Sequence, residues 1–79
     1  MIKFSIHTEK RIAERNLSVD WIERTISAPD WARPDADPSL TQSFKAIVEF
    51  GNRILKVVHR PDGADVLVIT TYFDRSAKR

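Results

Sequence analysis

Two histidines, a tyrosine and several arginines are the side chains of this sequence that could move protons or stabilise charge. The candidates for a catalytic role are His7, Arg11, His59, Tyr72 and Arg75. An unperturbed imidazole titrates at about pH 6.5, so a histidine can accept or return a proton near neutrality. Fixed positive charge would stabilise the phosphorane formed when a ribose 2′-hydroxyl attacks phosphorus. These residue types therefore fit metal-free RNA cleavage by internal transesterification.

The spacing of His7, Arg11 and Arg15 places them on one stripe of a predicted first helix, because residues four positions apart are neighbours on a helix surface. Such a stripe can hold phosphates, which makes Arg15 a candidate for nucleic-acid binding. The alternative is a solvated charged face that Glu14 partly neutralises, since exposed basic side chains are common.

His59 lies near the end of a predicted strand, on the same face as Leu55 and Val57. That position suits a site on the sheet surface, with an ordinary surface histidine as the alternative. Tyr72 and Arg75 follow the apolar part of the last predicted strand, where the chain becomes rich in hydrogen-bonding groups. The alternative there is structural, because tyrosine favours strands and Arg75 can pair with the aspartate beside it.

Trp31 and Arg33 lie in a proline-rich segment and are further candidates for nucleic-acid binding. A loop tryptophan beside an arginine can stack on an unpaired base while the guanidinium contacts phosphate. The alternative is that Trp31 folds down and covers the edge of the core.

The sequence has no cysteine, which excludes a disulfide framework and a thiol nucleophile. Its two histidines lack the short spacing that is typical of metal ligands. We therefore predict no metal site and no cofactor.

The composition is that of one globular domain spanning residues 1–79, with 42% hydrophobic and 30% charged residues. The N-terminal segment contains no apolar run suited to a signal peptide, and no stretch approaches the roughly 20 apolar residues of a membrane span. We expect a cytoplasmic protein that does not contact a membrane. The net charge of +2 is a weak argument for nucleic-acid binding, so that hypothesis has to rest on how the charges are distributed.

The first elements follow from hydrophobic spacing and capping residues. Period-two alternation over residues 2–6 predicts a short strand that buries Ile2, Phe4 and Ile6 on one face. A helix follows, with Thr8 as its predicted N-cap.

Asn16 is the predicted left-handed residue that ends this helix, and Ser18 is the predicted N-cap of a second one. Ile22 and Ile26 recur at helical spacing until Pro29 stops the run. The sequence therefore predicts two helices joined by a very short turn.

Residues 29–41 contain several prolines and aspartates and are predicted to form a long loop. Three strand-like runs follow, at Gln42 to Phe50, Arg53 to Arg60 and Asp65 to Phe73. The residues between them, Gly51-Asn52 and Pro61-Asp62-Gly63, are typical of hairpin turns. The predicted fold is α+β, in which a short strand and two helices precede a three-stranded antiparallel meander.

The last strand is apolar on both of its faces, as expected for a central or nearly central position in the sheet. Two helices can cover only one face. We expect the other face to serve a substrate, a partner protein or a homodimer formed through the sheet.

Five segments occur in an order that is typical of a known family. They are His7-x-x-x-Arg11-x-x-x-Arg15, Asn16-Leu17-Ser18, Pro29-Asp30, Leu55-Lys56-Val57-Val58 and Val68-Ile69-Thr70-Thr71-Tyr72-Phe73-Asp74-Arg75. Over nearly its whole length the chain resembles the domain-of-unknown-function family DUF4258, which looks related to the RelE/ParE-like toxins. The resemblance implies helices followed by an antiparallel sheet, a ribonuclease-type or toxin-type ancestry, and often an antitoxin partner.

Carried over by position, the resemblance adds Lys56 and Thr71 to the candidate nucleic-acid-binding residues. The residues and the resemblance together lead to the hypothesis of a toxin-like endoribonuclease, with RNA and an antitoxin protein as partners. The alternative hypothesis is a non-catalytic module of the same fold that binds protein or RNA.

Overall fold

Two helices pack on one face of a five-stranded sheet in the structure, a computed structural model that describes residues 1–78. The elements, in chain order, are β1 (Ile2–Phe4), α1 (Ile6–Arg15), α2 (Val19–Ser27), β2 (Trp31–Pro34), β3 (Thr41–Ile47), a 3-10 turn (Val48–Phe50), β4 (Arg53–Asp62) and β5 (Asp65–Phe73). The strand order is β1-β5-β4-β3-β2, with β1 parallel to β5 and all other neighbours antiparallel. The predicted α+β class is confirmed, and the sheet has more strands than the predicted meander.

Ser5 separates β1 from α1, and two predictions at this junction are wrong. Its hydroxyl oxygen accepts a hydrogen bond from the backbone N–H of Thr8 at 3.2 Å, so Ser5 is the N-cap and Thr8 is not. The helix consequently begins at Ile6, a residue that is 84% exposed instead of being buried beside the strand. Thr8 is buried in the first turn of α1. Because the capping acceptor is Ser5, three residues before Thr8, the helix starts earlier than the apolar alternation predicts.

The turn between the helices agrees with the prediction. Asn16 has φ 53° and ψ 39°, the left-handed conformation that asparagine tolerates, and the N–H of Leu17 donates to the carbonyl of Ile12 at 3.0 Å. Ser18 occupies the N-cap position of α2 without a side-chain hydrogen bond. Within residues 1–78 no helix has the length and apolar character needed to cross a membrane.

The segment predicted as a loop contains an edge strand. In β2, Trp31 lies opposite Phe44 of β3 and Pro34 lies opposite Thr41. The prediction of a loop throughout residues 29–41 is therefore wrong for Trp31–Pro34 and for Thr41, the first residue of β3. Proline cannot donate to a neighbouring strand and is confined to edges, so β2 is tolerated because it is outermost in the sheet.

The meander of β3, β4 and β5 is confirmed, with shifted boundaries: β3 starts at Thr41, and β4 continues to Asp62 through two of the residues predicted to form the turn. β3 ends at Ile47, and the residues predicted to continue it form the 3-10 turn instead. Gly51 and Asn52 then take left-handed φ values of 67° and 58°, and Gly63 has φ 64° between β4 and β5. Glycine adopts this conformation without a steric penalty and asparagine tolerates it, which is why these positions form the turns.

The core lies between the helices and the sheet. Its fully enclosed members are Leu17, Ile22, Ile47, Leu55, Val57 and Val68. Removing such side chains from water stabilises the fold by roughly 1.5–3 kcal/mol each. Ile12 of α1 and Ile26 of α2 pack against this cluster, so both helices are fixed relative to β4 and β5.

The opposite face of the sheet is partly covered by the chain's own side chains. Phe44 is fully buried there, although no helix contributes to this face. The ring of Trp31 stacks on it at 4.8 Å with planes 6° apart, and the guanidinium of Arg33 lies 4.8 Å from its centroid. Lys56 approaches from β4, with Nζ 5.8 Å from the same centroid. We call these four residues the Phe44 cluster.

Candidate nucleic-acid interface

A groove of about 1140 Å³ lies at the end of the sheet where β5 stops and β4 starts. Side chains from both helices, the 3-10 turn and the two strand ends line it, including Arg11, Arg15, Trp21, Phe50, Arg53, Thr70, Tyr72, Phe73, Asp74 and Arg75. Sites for single drug-sized molecules are usually about 300–1,000 Å³. The groove therefore has room for an extended ligand.

Strand pairing explains why residues distant in sequence meet here. Leu55 of β4 pairs with Phe73 of β5, so Arg53 and Arg75, each two positions further out, lie at the same end of the sheet. The parallel pairing of β1 with β5 stops at Val68. In the part of the chain that the structure describes, the edge of β5 beyond that residue has no strand neighbour on this side, and the last turns of α1 lie beside it.

Four exposed guanidinium groups line the groove, those of Arg11, Arg15, Arg53 and Arg75. None of them takes part in an ion pair within residues 1–78. By contrast, Arg24 on α2 contacts two carboxylates. Uncompensated positive charge on a concave surface raises the local concentration of anions and is typical of sites that bind nucleic-acid backbones.

The floor of the groove is aromatic. The ring centroids of Trp21 and Phe50 are 5.4 Å apart, and those of Phe50 and Phe73 are 4.9 Å apart. Trp21 and Phe73 also pack against the core, whereas Phe50 is 40% exposed. Exposed ring faces next to guanidinium groups can hold nucleobases by stacking, whatever the base.

Tyr72 and Asp74 add polar groups to the same surface. The carboxylate of Asp74 accepts hydrogen bonds from the hydroxyl of Ser76 at 2.7 Å and from its N–H at 2.9 Å, and these bonds lower the pKa of Asp74. Nζ of Lys56 lies 3.9 Å from Asp74 and 5.5 Å from the ring centroid of Tyr72. Asp74 is therefore ionised at neutral pH, and Tyr72 supplies a hydroxyl that can donate or accept a hydrogen bond.

The structure brings some of the predicted catalytic residues together and leaves both histidines outside the groove. Those lining it are Arg11, Tyr72 and Arg75, joined by the predicted phosphate ligand Arg15. His7 is exposed in the first turn of α1. His59 is half-buried on β4, its Nε2 lies 2.8 Å from Oγ of Ser43, and burial lowers its pKa.

Within residues 1–78, no group of three or more histidine, aspartate or glutamate side chains is arranged to hold a metal ion.

Three predicted nucleic-acid-binding residues belong to the Phe44 cluster, on the face of the sheet away from the helices. Trp31 already stacks on Phe44, and the side chain of Lys56 is only 16% exposed and paired with Asp74. Arg33 is exposed at the edge strand. The cluster adjoins the groove through the contact between Lys56 and the ring of Tyr72, but none of its members lines the groove.

Thr71, which the resemblance added to the binding residues, is a core residue. It is 1% exposed and lies opposite Val57 on the helix-covered face. In this conformation its side chain does not reach a bound nucleic acid. Its hydroxyl has no hydrogen-bond partner within residues 1–78.

Two prominent groove residues, Phe50 and Arg53, were not predicted as site residues. Arg53 could have been found from the sequence. A tight turn at Gly51 places it at the start of β4, and in an antiparallel pair the start of β4 lies beside the end of β5, which Arg75 follows. Phe50 could not, because the sequence predicts a continuing strand where the 3-10 turn directs its ring into the groove.

The model of the family described as Domain of unknown function (DUF4258) matches residues 4–73. This span covers both helices, four of the strands in full and most of the groove, with Asp74 and Arg75 just beyond it. The chain belongs to this family, which confirms the resemblance at that level. No curated protein and no solved structure gives a significant match.

Proposed function

We propose that the groove binds RNA and cleaves it without a metal ion, in the manner of a toxin-like endoribonuclease. The observation that carries this proposal is the convergence of four unpaired guanidinium groups on an exposed aromatic surface. RNA has groups that match both features: its negative phosphates can bind the guanidinium groups, and its flat bases can stack on the aromatic rings. A small neutral ligand would use neither the spread of charge nor the length of the groove.

The proposed chemistry is internal transesterification. The 2′-oxygen forms a bond to phosphorus while the bond from phosphorus to the 5′-oxygen breaks. The 2′-hydroxyl proton passes to the carboxylate of Asp74, and Tyr72 gives its proton to the leaving 5′-oxygen. The products are a 2′,3′-cyclic phosphate and a 5′-hydroxyl end, and exchange with water restores both side chains. Arg11 and Arg75 stabilise the charge on the phosphorane, and this stabilisation contributes more to the rate than the proton transfers do.

We further propose that the protein acts in the cytoplasm as the toxin of a toxin–antitoxin pair, related to the RelE/ParE-like toxins. The support is the order of elements, two helices ahead of an antiparallel sheet, which the family resemblance attributes to that fold group. An antitoxin that inhibits this activity would cover the arginines of the groove.

A non-catalytic RNA-binding module is the second candidate. The observation in its favour is that neither His7 nor His59 lines the groove. The groove then contains phosphate-binding and stacking groups, while its proton transfer depends on Tyr72 and Asp74 alone.

A cleavage assay with purified protein tests the proposal. A short end-labelled single-stranded RNA is incubated with the protein in the presence of a chelator, and the ends of the products are analysed. We expect cyclic phosphate ends from the wild type. We expect Tyr72→Phe to cut the rate about a hundredfold while binding persists, as for loss of a proton-transfer group. Arg11→Ala is expected to slow cleavage by a similar factor through lost charge stabilisation.

The matched control is Lys10→Ala, which removes an exposed cation of the same helix that does not line the groove. It should leave cleavage and binding unchanged. Arg15→Ala should reduce the dependence of log affinity on log salt by about 0.7, the value for one phosphate contact on a single strand. Cleavage that is identical in wild type, Tyr72→Phe and Arg11→Ala would indicate a contaminating nuclease. Salt-dependent binding without turnover would favour the second candidate.

Growth of a bacterial host during controlled expression tests the toxin role separately. Arrest with discrete new RNA ends, abolished by Arg11→Ala at equal protein level, is the expected result. Normal growth with abundant folded wild-type protein would contradict that role.

A further inference from the structure

Phe50 is the most exposed aromatic ring in the groove, and its position is fixed by the residues around it. Its plane is tilted by 39° and 31° to the neighbouring rings of Trp21 and Phe73, while the guanidinium of Arg53 lies 5.2 Å from its centroid. The turn that joins Phe50 to Arg53 is closed by a 3.0 Å hydrogen bond from the N–H of Asn52 to the carbonyl of Ile47. The turn therefore places the guanidinium over the ring, and because Arg53 is exposed its side chain can move away from that position.

The exposure of Phe50 is not required by the core. Trp21 and Phe73 pack against the buried cluster, and Phe50 covers their outer edges without joining that cluster. An aliphatic side chain would serve this purpose with less exposed surface. The groove thus contains a partly exposed aromatic ring with the guanidinium of Arg53 over it.

We infer that Phe50 and Arg53 form a subsite for one unpaired nucleobase, which stacks on the ring as the exposed Arg53 side chain moves outward to make room beneath its guanidinium. This inference rests on the proposed RNA binding and specifies the substrate as single-stranded. A base in a duplex is stacked on its neighbours and cannot enter, whereas an unpaired base can stack on an aromatic ring and on a guanidinium plane. The subsite accepts any base, because every base has a π face.

The geometry of the groove supports this arrangement. Arg11, Arg15 and Arg75 lie around the same concave surface, so the phosphates on either side of the inserted base meet cations. The base contributes affinity and fixes the register of the chain, while the phosphates contribute the salt-dependent part of binding.

The test measures binding of labelled RNA to the full chain by fluorescence anisotropy, with three probes. They are a single strand, a duplex of the same sequence, and a single strand of the same length in which every base is absent. We expect the wild type to bind the single strand about tenfold more tightly than the base-free strand, as for the loss of one stacked base. The duplex should bind no better than the base-free strand. These comparisons need no mutant, so they do not depend on how a variant folds.

Variants then assign the effect to the ring. Phe50→Leu keeps an apolar contact with Trp21 and should weaken single-strand binding about tenfold without changing base-free binding. Phe50→Trp restores a stacking surface and should restore the affinity. Val48→Ala is the control, since Val48 is 76% exposed two residues away and does not line the groove.

The outcomes separate this subsite from the proposed function. If the wild type binds base-free RNA as tightly as the base-bearing strand, or if Phe50→Leu binds normally, the subsite is wrong and RNA binding stands. If the wild type binds none of the probes at low salt, both proposals are wrong.

Discussion

The hydroxyl of Thr8 donates a 2.7 Å hydrogen bond to the carbonyl oxygen of Ile69, 61 positions away in the chain. Ile69 lies where the pairing of β5 with β4 shifts register, and it has no partner across that pair. β1 also stops just before this point, at the pairing of Phe4 with Val68. The Thr8 hydroxyl thus bonds to β5 where its pairing with both neighbours is interrupted, and it ties α1 to β5 beside the groove.

Replacing Thr8 with valine should destabilise the protein. The shape is retained but the partly buried carbonyl of Ile69 loses the hydroxyl donor, and a hydrogen bond of this kind typically contributes about 0.5–1.5 kcal/mol. Chemical denaturation with the midpoint and slope both recorded measures the change. Thr8→Ser keeps the hydroxyl and should retain most of the stability. Equal stability of Thr8→Val and the wild type would show that this bond does not hold α1 in place.

The same substitution at Thr71 should have the opposite sign. Its hydroxyl is buried without a partner within residues 1–78, so Thr71→Val removes an unsatisfied polar group and adds an apolar one. We expect a gain of about 1 kcal/mol in the free energy of unfolding. RNA binding should not change, because Thr71 lies under the helices. A loss of affinity in a protein that is at least as stable would show that Thr71 belongs to the site after all.

The sequence carried enough information to predict the helices and the three longest strands, because their hydrophobic spacing, caps and turn residues agree. It failed where two local signals compete. Alternation of Ile2, Phe4 and Ile6 extends the first strand, but the hydroxyl of Ser5 starts the helix first. Prolines around β2 suggest a loop, yet pairing with β3 on one side is enough to form an edge strand.

The site was predictable only in part. The helical spacing of Arg11 and Arg15 is local, so the sequence shows it directly. Their meeting with Arg75 depends on the packing of α1 beside β5, which no local pattern contains. The face on which Thr71 lies follows from strand alternation, but the sequence does not show which face the helices cover.

Asn16 should tolerate glycine and resist alanine. It holds φ 53° at the end of α1, a conformation in which a Cβ atom costs about 1–2 kcal/mol for most residues and which asparagine adopts more readily. Asn16→Ala is therefore expected to lose about 1 kcal/mol of stability, whereas Asn16→Gly should lose little or none. Thermal unfolding of the two variants side by side is the measurement. Equal losses would mean that the asparagine side chain, and not the backbone conformation, is what matters.

Acidification should weaken the fold through His59 before any carboxylate titrates. Burial disfavours its charged form and lowers its pKa below the ordinary value, and its Nε2 is bonded to Ser43. Between the folded pKa and about pH 6.5 the unfolded chain binds more protons than the folded one. The free energy of unfolding therefore falls as the pH drops below about 6.5. Once the pH is below the pKa of His59 in the folded protein, this residue causes no further loss.

Denaturant titrations at several pH values between roughly 7.5 and 5.5 measure this dependence. His59→Gln has no imidazole at that position and should give a flatter profile over the window. His7→Gln, which removes the exposed imidazole of α1, is the matched control and should keep the slope of the wild type. The carboxylates with lowered pKa values, such as Glu49 with a pKa of about 2 beside Arg24, lose their contribution only at more acidic pH. A His59→Gln profile as steep as that of the wild type would assign the pH dependence to another group.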